Sequence, residues 1–292
     1  MDQVVFLNGE YLPLAEAKVP VLDRGFIFGD GVYEVVPVYS KVAFRLDEHL
    51  ARLERSLAAV GIRNPYAREQ WRGFVEGIVA RQAFEDQAVY FQVTRGVAKR
   101  DHAFPKNAQP TIFMMSNPLV PPPPAQVEAG AAAITGRDYR WQRCDIKSIS
   151  LIGNVLLRQL SVEADAVETI LFRDGKLTEA SASNVFVVKG GVIQSPPKND
   201  LILPGITYDV VVELARANAL PLEFRGIPEA EVRAADEIWV TSSSKEVLAV
   251  VRLDGAPVGD GRPGPVFRRM YRLYQDFKQK VMRAGRRESL PA

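Results

Sequence analysis

The chain has 292 residues, 47% of them hydrophobic and 25% charged, which is a globular rather than a disordered or fibrous composition. At roughly 150 residues per domain it is long enough for two domains. The net charge of +2 gives no global reason to expect nucleic acid or a membrane surface as partner. One cysteine, Cys144, and two histidines, His49 and His102, exclude an internal disulfide, a thiolate cage and a many-imidazole metal site.

Met1-Asp2-Gln3 lacks the basic start of a signal peptide, and the apolar run Val4–Leu7 is too short to complete one. No run of about 18 apolar residues is present. The expectation is a soluble, cytoplasmic, two-domain protein.

Asn8-Gly9 between Val4–Leu7 and Tyr11–Leu12 predicts a hairpin. Val32–Tyr39 and Val42–Arg45 predict a second, over Ser40-Lys41. Asp47 is placed to cap a helix with Leu50, Leu53, Leu57 and Val60 at helical spacing, and another helix is expected over Arg68–Phe84. Strands Ala88–Thr94 and Thr111–Ser116 follow, joined by a loop long enough to suggest a purpose. The proline run of 118–124 reads as an extended linker between residues 1–117 and 125–292.

Beyond it, strands are predicted at Gly130–Thr135, Val167–Phe172, Asn184–Val188, Val192–Gln194, Leu222–Phe224, Glu237–Thr241 and Val247–Val251. Helices are predicted at Leu151–Glu163, Tyr208–Asn218, Glu229–Arg233 and Val266–Met282. Strands and helices neither alternate strictly nor segregate, which places the chain in the α+β class. The tail from Arg283 has little to bury and is expected to fray.

Two stretches could bind an anion. Leu203-Pro204-Gly205-Ile206-Thr207 opens a helix, whose first N–H groups suit phosphate, with Thr207 as a possible cap. Thr241-Ser242-Ser243-Ser244 sets hydroxyls at a strand end, where they serve equally as a turn. No Walker-A or dinucleotide glycine pattern accompanies them. Arg100 and His102, in the long loop, could together hold a carboxylate or simply be solvated. Lys147, among apolar neighbours, is a candidate amine nucleophile. By local sequence Glu179 reads as a surface turn carboxylate, Arg52 as a solvated arginine on the polar side of its helix, Cys144 as a small buried filler and His49 as a helix-surface or packing histidine rather than a base.

In order along the chain stand Asp23-Arg24-Gly25-x-x-Phe28-Gly29-Asp30-Gly31-Val32-Tyr33-Glu34-Val35-Val36, Glu48-His49-Leu50-x-Arg52-Leu53, Tyr90-Phe91-Gln92-Val93-Thr94-Arg95-Gly96 and Arg100-x-His102. Arg143-Cys144-Asp145-Ile146-Lys147-Ser148, Thr178-Glu179-x-Ser181-x-Ser183-Asn184-Val185-Phe186, Leu203–Thr207 and Val240-Thr241-Ser242 complete the series. From about residue 3 to 282 the chain resembles the fold-type IV pyridoxal-phosphate (PLP) enzymes, and among them the D-amino acid aminotransferases. The resemblance implies a smaller N-terminal domain, a larger C-terminal mixed-sheet domain and PLP as cofactor.

It implies that Lys147 forms the Schiff base with PLP and moves the proton at the substrate α-carbon, and that Glu179 pairs with the pyridine nitrogen. Arg52, Ile206, Thr207 and Ser243 would hold the phosphate, with Ser183, Asn184 and Ser242 also counted as cofactor contacts. Tyr33, Arg100 and His102 would trap the substrate carboxylate. Loop 96–106 would reach the neighbouring active site of a homodimer. The implied reaction moves the amino group between D-alanine or D-glutamate and 2-oxoglutarate or pyruvate. Branched-chain or amine transaminases of the same fold, and aminodeoxychorismate lyases, are the alternatives. Pro37 and Tyr208 depart from the pattern, which puts the pocket rim and hence the substrate range in question.

Overall fold

Asn8 and Gly9 have φ of 50° and 108°, and Ser40 and Lys41 have φ of 49° and 65°, the paired positive values of tight hairpin turns. In the computed structural model, which describes residues 3–284, these turns join β1 (Val4–Leu7) to β2 (Glu10–Pro13) and β3 (Gly31–Tyr39) to β4 (Val42–Ala43). With β5 (Gln87–Thr94) and β6 (Thr111–Pro118) they form an antiparallel sheet in the order β2-β1-β6-β5-β3-β4.

Helices α1 (Arg24–Phe28), α2 (Leu46–Ala59) and α3 (Arg68–Ala80) complete this first unit. Its core joins Val32, Val36 and Val38 of β3 to Leu50, Leu53 and Leu57 of α2 and to Trp71, Val75 and Ile78 of α3. Two helix ends differ from expectation. α2 starts at Leu46 behind Arg45 in the left-handed region, so Asp47 lies within the first turn, where it pairs with Arg72. α3 stops at Ala80, because the Gln87 amide donates to the Val79 and Phe84 carbonyls and turns the chain there.

The second unit comprises Pro121–Asp145 and the chain from Ile152 onward; Ile146–Leu151 belongs with the first unit instead. A linear division at the proline run therefore misses one crossing segment. The run itself is shorter than expected: β6 reaches Pro118, and α4 (Pro124–Ala129) starts on a proline, which helix starts tolerate.

Further along come β7 (Ala131–Arg137), α5 (Ile152–Glu163), β8 (Glu168–Arg173), β9 (Lys176–Ala180), β10 (Asn184–Lys189) and β11 (Val192–Ser195). They are followed by α6 (Ile206–Ala217), β12 (Leu222–Phe224), α7 (Glu229–Arg233), β13 (Glu237–Ser242), β14 (Glu246–Leu253), β15 (Ala256–Pro257) and α8 (Pro265–Phe277). Among the described residues the sheet runs β12-β11-β10-β13-β14-β7-β8-β9, with β15 on β14. It is mixed: β11/β12, β14/β7 and β7/β8 are parallel and the other pairs antiparallel. The molecule is α+β. Residues 285–292, most of the tail expected to fray, lie outside the described part.

Candidate active site

In the first unit, the segment Ile146–Leu151 lies along β3. The Tyr33 amide donates to the Lys147 carbonyl at 2.9 Å and the Ile149 amide to the Gly31 carbonyl at 3.0 Å. The Lys147 amide donates to Ser56 Oγ at 3.3 Å. Main-chain bonds therefore seat the lysine independently of its side chain. Its half-buried ammonium lies 4.2 Å from the Tyr33 ring centroid, a cation–π distance.

Alternation along β3 puts Glu34 on the face of Val32, Val36 and Val38, against α2, and Tyr33 on the other. On α2, His49, Arg52 and Ser56 share a face. Arg52 grips Glu34 at two points, Nε to Oε1 at 2.8 Å and Nη2 to Oε2 at 2.7 Å. His49 Nδ1 lies 2.7 Å from Glu34 Oε2. All three side chains are buried. Burial works to raise the Glu34 pKa, but the charge and hydrogen bonds of Arg52 outweigh it and hold the carboxyl well below the usual range. Burial lowers His49, leaving a neutral ring. An ionised Glu34 can only accept, so His49 Nδ1 carries the proton. Its Nε2 has no partner among the described residues.

In the second unit, β9 carries Glu179 to its buried end. Arg140 Nη1 donates to Glu179 Oε1 at 2.5 Å, while the Leu203 amide and Asn184 Nδ2 donate to Oε2 at 3.0 and 3.2 Å. Arg140 also binds Asp138 at two points, each 2.9 Å. One guanidinium thus serves two carboxylates. Burial pushes Glu179 up to about 7, against the pull of Arg140.

Asn184 also donates to the Leu203 carbonyl at 2.9 Å, which ties Glu179 to the loop entering α6. A Cβ at Gly205 would lie 2.2 Å from Asn184 Oδ1, so only glycine allows that approach. Gly205 itself caps α6 with extended backbone and no side-chain cap is present; Thr207 lies inside the first turn rather than capping it. The N–H groups of Ile206 and Thr207 are therefore first-turn donors suited to an anion.

Glu168, fully buried, accepts from Ser181, from Ser183 Oγ at 2.6 Å and from Lys245 Nζ at 3.0 Å. One carboxylate links the turn after Glu179 to the turn bearing Ser242 and Ser243. Ser183 thus spends its hydroxyl inside the protein. Ser242 Oγ accepts from the Lys245 amide at 3.1 Å.

Arg100 and His102 are exposed. Both rest on Phe28, with the Arg100 guanidinium carbon and the His102 ring each 5.4 Å from that ring's centroid. Among the described residues, Tyr33 meets Tyr90 and Lys147 but neither member of this pair within one chain. Pro37 pairs with Ala88 on one side and lies just beyond the two-residue β4 on the other, which is how the strand admits it. The Tyr208 hydroxyl is buried on the Pro196 carbonyl and its ring stacks on Phe186. Burial pushes the Cys144 thiol up to about 11, which makes it a packing residue. Among the described residues no cluster of three or more His, Cys, Asp or Glu side chains could hold a metal ion, and no helix is long and apolar enough to cross a membrane.

Glu34, Asp138, Arg140 and Glu168 were not visible as partners in the sequence, since each acts through residues 13 to 77 positions away or, for Asp138 and Arg140, also through a pair two positions apart.

The model of the amino-transferase class IV family matches residues 31–253. The D-alanine aminotransferase of Bacillus licheniformis is 40% identical over 272 residues, covering 93% of this chain and 96% of that protein. That of Staphylococcus aureus (strain MW2) is 39% identical, covering 94% and 97%. Among solved structures, a T.th. branched-chain amino acid aminotransferase complexed with N-(5'-phosphopyridoxyl)-L-glutamate superposes with a TM-score of 0.87 at 25% identity, covering 98% of this chain and 96% of that one. The Escherichia coli branched-chain enzyme, at 22% identity, shares the fold with a TM-score of 0.86, covering 97% and 96%. With a family match spanning most of its length and relatives this similar end to end, the chain belongs to the class IV aminotransferases.

Proposed function

We propose that the chain is a PLP-dependent transaminase that moves the amino group between D-amino acids, D-alanine and D-glutamate, and the 2-oxo acids pyruvate and 2-oxoglutarate. The observation that carries this reading is the seat of Lys147, whose backbone is bonded to Tyr33 and Ser56 while its ammonium lies over the Tyr33 ring. The D-alanine aminotransferases at 38–40% identity over nearly the full chain support it.

The residues suit this cofactor. Buried Glu179 shares its one guanidinium with Asp138, and the pyridine nitrogen of PLP, if protonated beside it, would be the further cation that favours its ionised form. Arg52, the Ile206 and Thr207 amides, and the Thr207 and Ser243 hydroxyls are the groups assigned to the phosphate. When bound, PLP supplies the electron sink for the charge left at the substrate α-carbon. Lys147 Nζ would hold PLP through its aldehyde group, and its amine would take and return the proton at the substrate α-carbon. Asn184 and Leu203 orient Glu179. Ser183, through Glu168, supports the neighbouring turn rather than touching the cofactor with its hydroxyl. Tyr33, Arg100 and His102 bind the substrate carboxylate, and this placement selects the D-isomer.

The pair's separation from Tyr33 within one chain suits a loop 96–106 that serves the neighbouring site of a homodimer. The exposed apolar side chains Ile152, Val155 and Leu156, at helical spacing on α5, support self-association. A lone buried thiol suits a reducing compartment, and the cytoplasm is the proposed location. The branched-chain relatives in the solved structures favour a second reading, transfer from L-leucine-like substrates.

The test is to add D-alanine, L-alanine or L-leucine separately to holoenzyme without an oxo acid. Loss of the visible cofactor band with D-alanine alone supports the proposal. Loss with L-leucine supports the second reading and removes the carboxylate trap as the source of handedness.

A further inference from the structure

The motif Asp23-Arg24-Gly25-x-x-Phe28-Gly29-Asp30 has no part in the chemistry assigned above. We propose that Arg24 is a positioning residue for substrate recognition: it holds the main chain that presents Arg100 and His102. This rests on the reading that those two side chains bind the substrate carboxylate.

Arg24 is buried, although the loop it serves is exposed. Its Nη1 donates to the Asp101 carbonyl at 2.5 Å and the Ala103 carbonyl at 3.3 Å, and Nη2 to the His102 carbonyl at 3.4 Å. Three successive carbonyls thus converge on one guanidinium. Its Nε donates to Asp30 Oδ2 at 2.7 Å. Arg95 grips the same Asp30 at 2.7 and 2.9 Å, then reaches the Val60 and Gly61 carbonyls, past the end of α2, at 2.7 and 2.9 Å. The chain of contacts runs from the loop backbone through Arg24, Asp30 and Arg95 to a helix end. Phe28, four residues after Arg24, lies under Arg24, Arg100 and His102 together.

The side chains of Asp101 to Phe104 are exposed; Phe104 lies under the Arg95 guanidinium at 3.6 Å and His102 against Phe28, so the loop's side chains rest on the same Arg24–Asp30–Arg95 group that holds its carbonyls. Without the guanidinium three main-chain anchors are lost, and more of the loop's ordering falls to the substrate, which weakens binding without touching the cofactor. Lysine keeps a charge for Asp30 but cannot span three carbonyls and a carboxylate.

The experiment compares Arg24→Lys, Asp30→Asn and Arg100→Ala holoenzymes, and the Arg24→Lys/Arg100→Ala double variant. The readouts are KM and kcat for D-alanine and the Kd of PLP for each apo form. The expected result is a KM raised at least fivefold in all three single variants, with PLP Kd within twofold of the parent. In the double variant the rise should fall short of the product of the two single-variant rises, because both changes act on one loop, in which Arg100→Ala leaves only His102 for Arg24 to present. A KM unchanged in Arg24→Lys and Asp30→Asn but raised in Arg100→Ala overturns the proposal and leaves the carboxylate reading standing. An unchanged KM in Arg100→Ala overturns the carboxylate reading itself. Multiplying effects in the double variant, or a PLP Kd raised more than tenfold by Arg24→Lys, assign Arg24 to general folding and also overturn the proposal.

Discussion

Tyr33 and Lys147 are joined twice: the tyrosine amide donates to the lysine carbonyl at 2.9 Å, and the lysine ammonium lies 4.2 Å from the tyrosine ring. The first contact belongs to the backbone and survives any substitution of the side chain. Lys147→Ala is therefore expected to keep the fold and its melting temperature while turnover falls at least about 10²–10⁴-fold, the range of a lost proton-transferring group. Steady-state transamination checks it; activity within tenfold of the parent contradicts the role.

Glu34 sits between Arg52 and His49 with no exposed surface. Replacing it by Gln leaves a buried arginine without its counter-charge, at a cost of about 3–5 kcal/mol. Its folded pKa lies below the unfolded value of about 4.3. Its stabilisation is thus present above that value and lost as pH falls through the folded pKa. Acid unfolding followed by circular dichroism should show a shallower loss below about pH 4.3 in Glu34→Gln than in the parent. Parallel acid limbs would contradict this.

Glu179 has the opposite sign. Its folded pKa is raised to about 7 by burial. The stability it contributes is full below the unfolded value of about 4.3 and disappears as pH rises through the folded value. Between pH 5 and 7.5, the melting temperature of the apo protein should fall more steeply for the parent than for Glu179→Gln. Equal slopes would mean that Glu179 is ionised throughout.

Gly205 has an ordinary φ of −73°, so alanine there meets no backbone strain, only Asn184. Asn184 cannot swing away cheaply because it already holds Glu179 and the Leu203 carbonyl. Gly205→Ala should weaken PLP binding at least tenfold by titration of the apo protein. Adding Asn184→Ala, which removes the clashing oxygen, should recover part of that loss. No recovery would place the clash elsewhere.

Local chemistry made much of this fold legible. Asn8-Gly9 announced its hairpin because a tight turn needs positive φ at both central positions, whereas Ser40-Lys41, which adopts the same φ signs, was legible only from the strands on either side. Leu50, Leu53 and Leu57 announced α2 by their spacing. β9 escaped notice because Leu177–Ala180 are buried in succession, which erases the alternation that marks a half-exposed strand. α1, five residues long, has no room for a periodic pattern. In the site, Lys147, Glu179 and Arg52 were named through motif order, and so were Arg100 and His102. Their supports were not: Glu34 reaches Arg52 across 18 residues and Arg140 reaches Glu179 across 39, and no local pattern encodes such pairings. His49, read as a helix-surface or packing histidine, is fully buried and held by a carboxylate, and Arg52 and Glu179, read locally as solvated, are buried because each has an opposite charge to pair with.

The most direct test of the account is chemical. Borohydride reduction makes a lysine–PLP bond permanent, and peptide mass mapping then locates it. The account predicts the cofactor's mass on the peptide containing Lys147 and on no other lysine. Labelling of a different lysine, or none in a protein saturated with PLP, would contradict it.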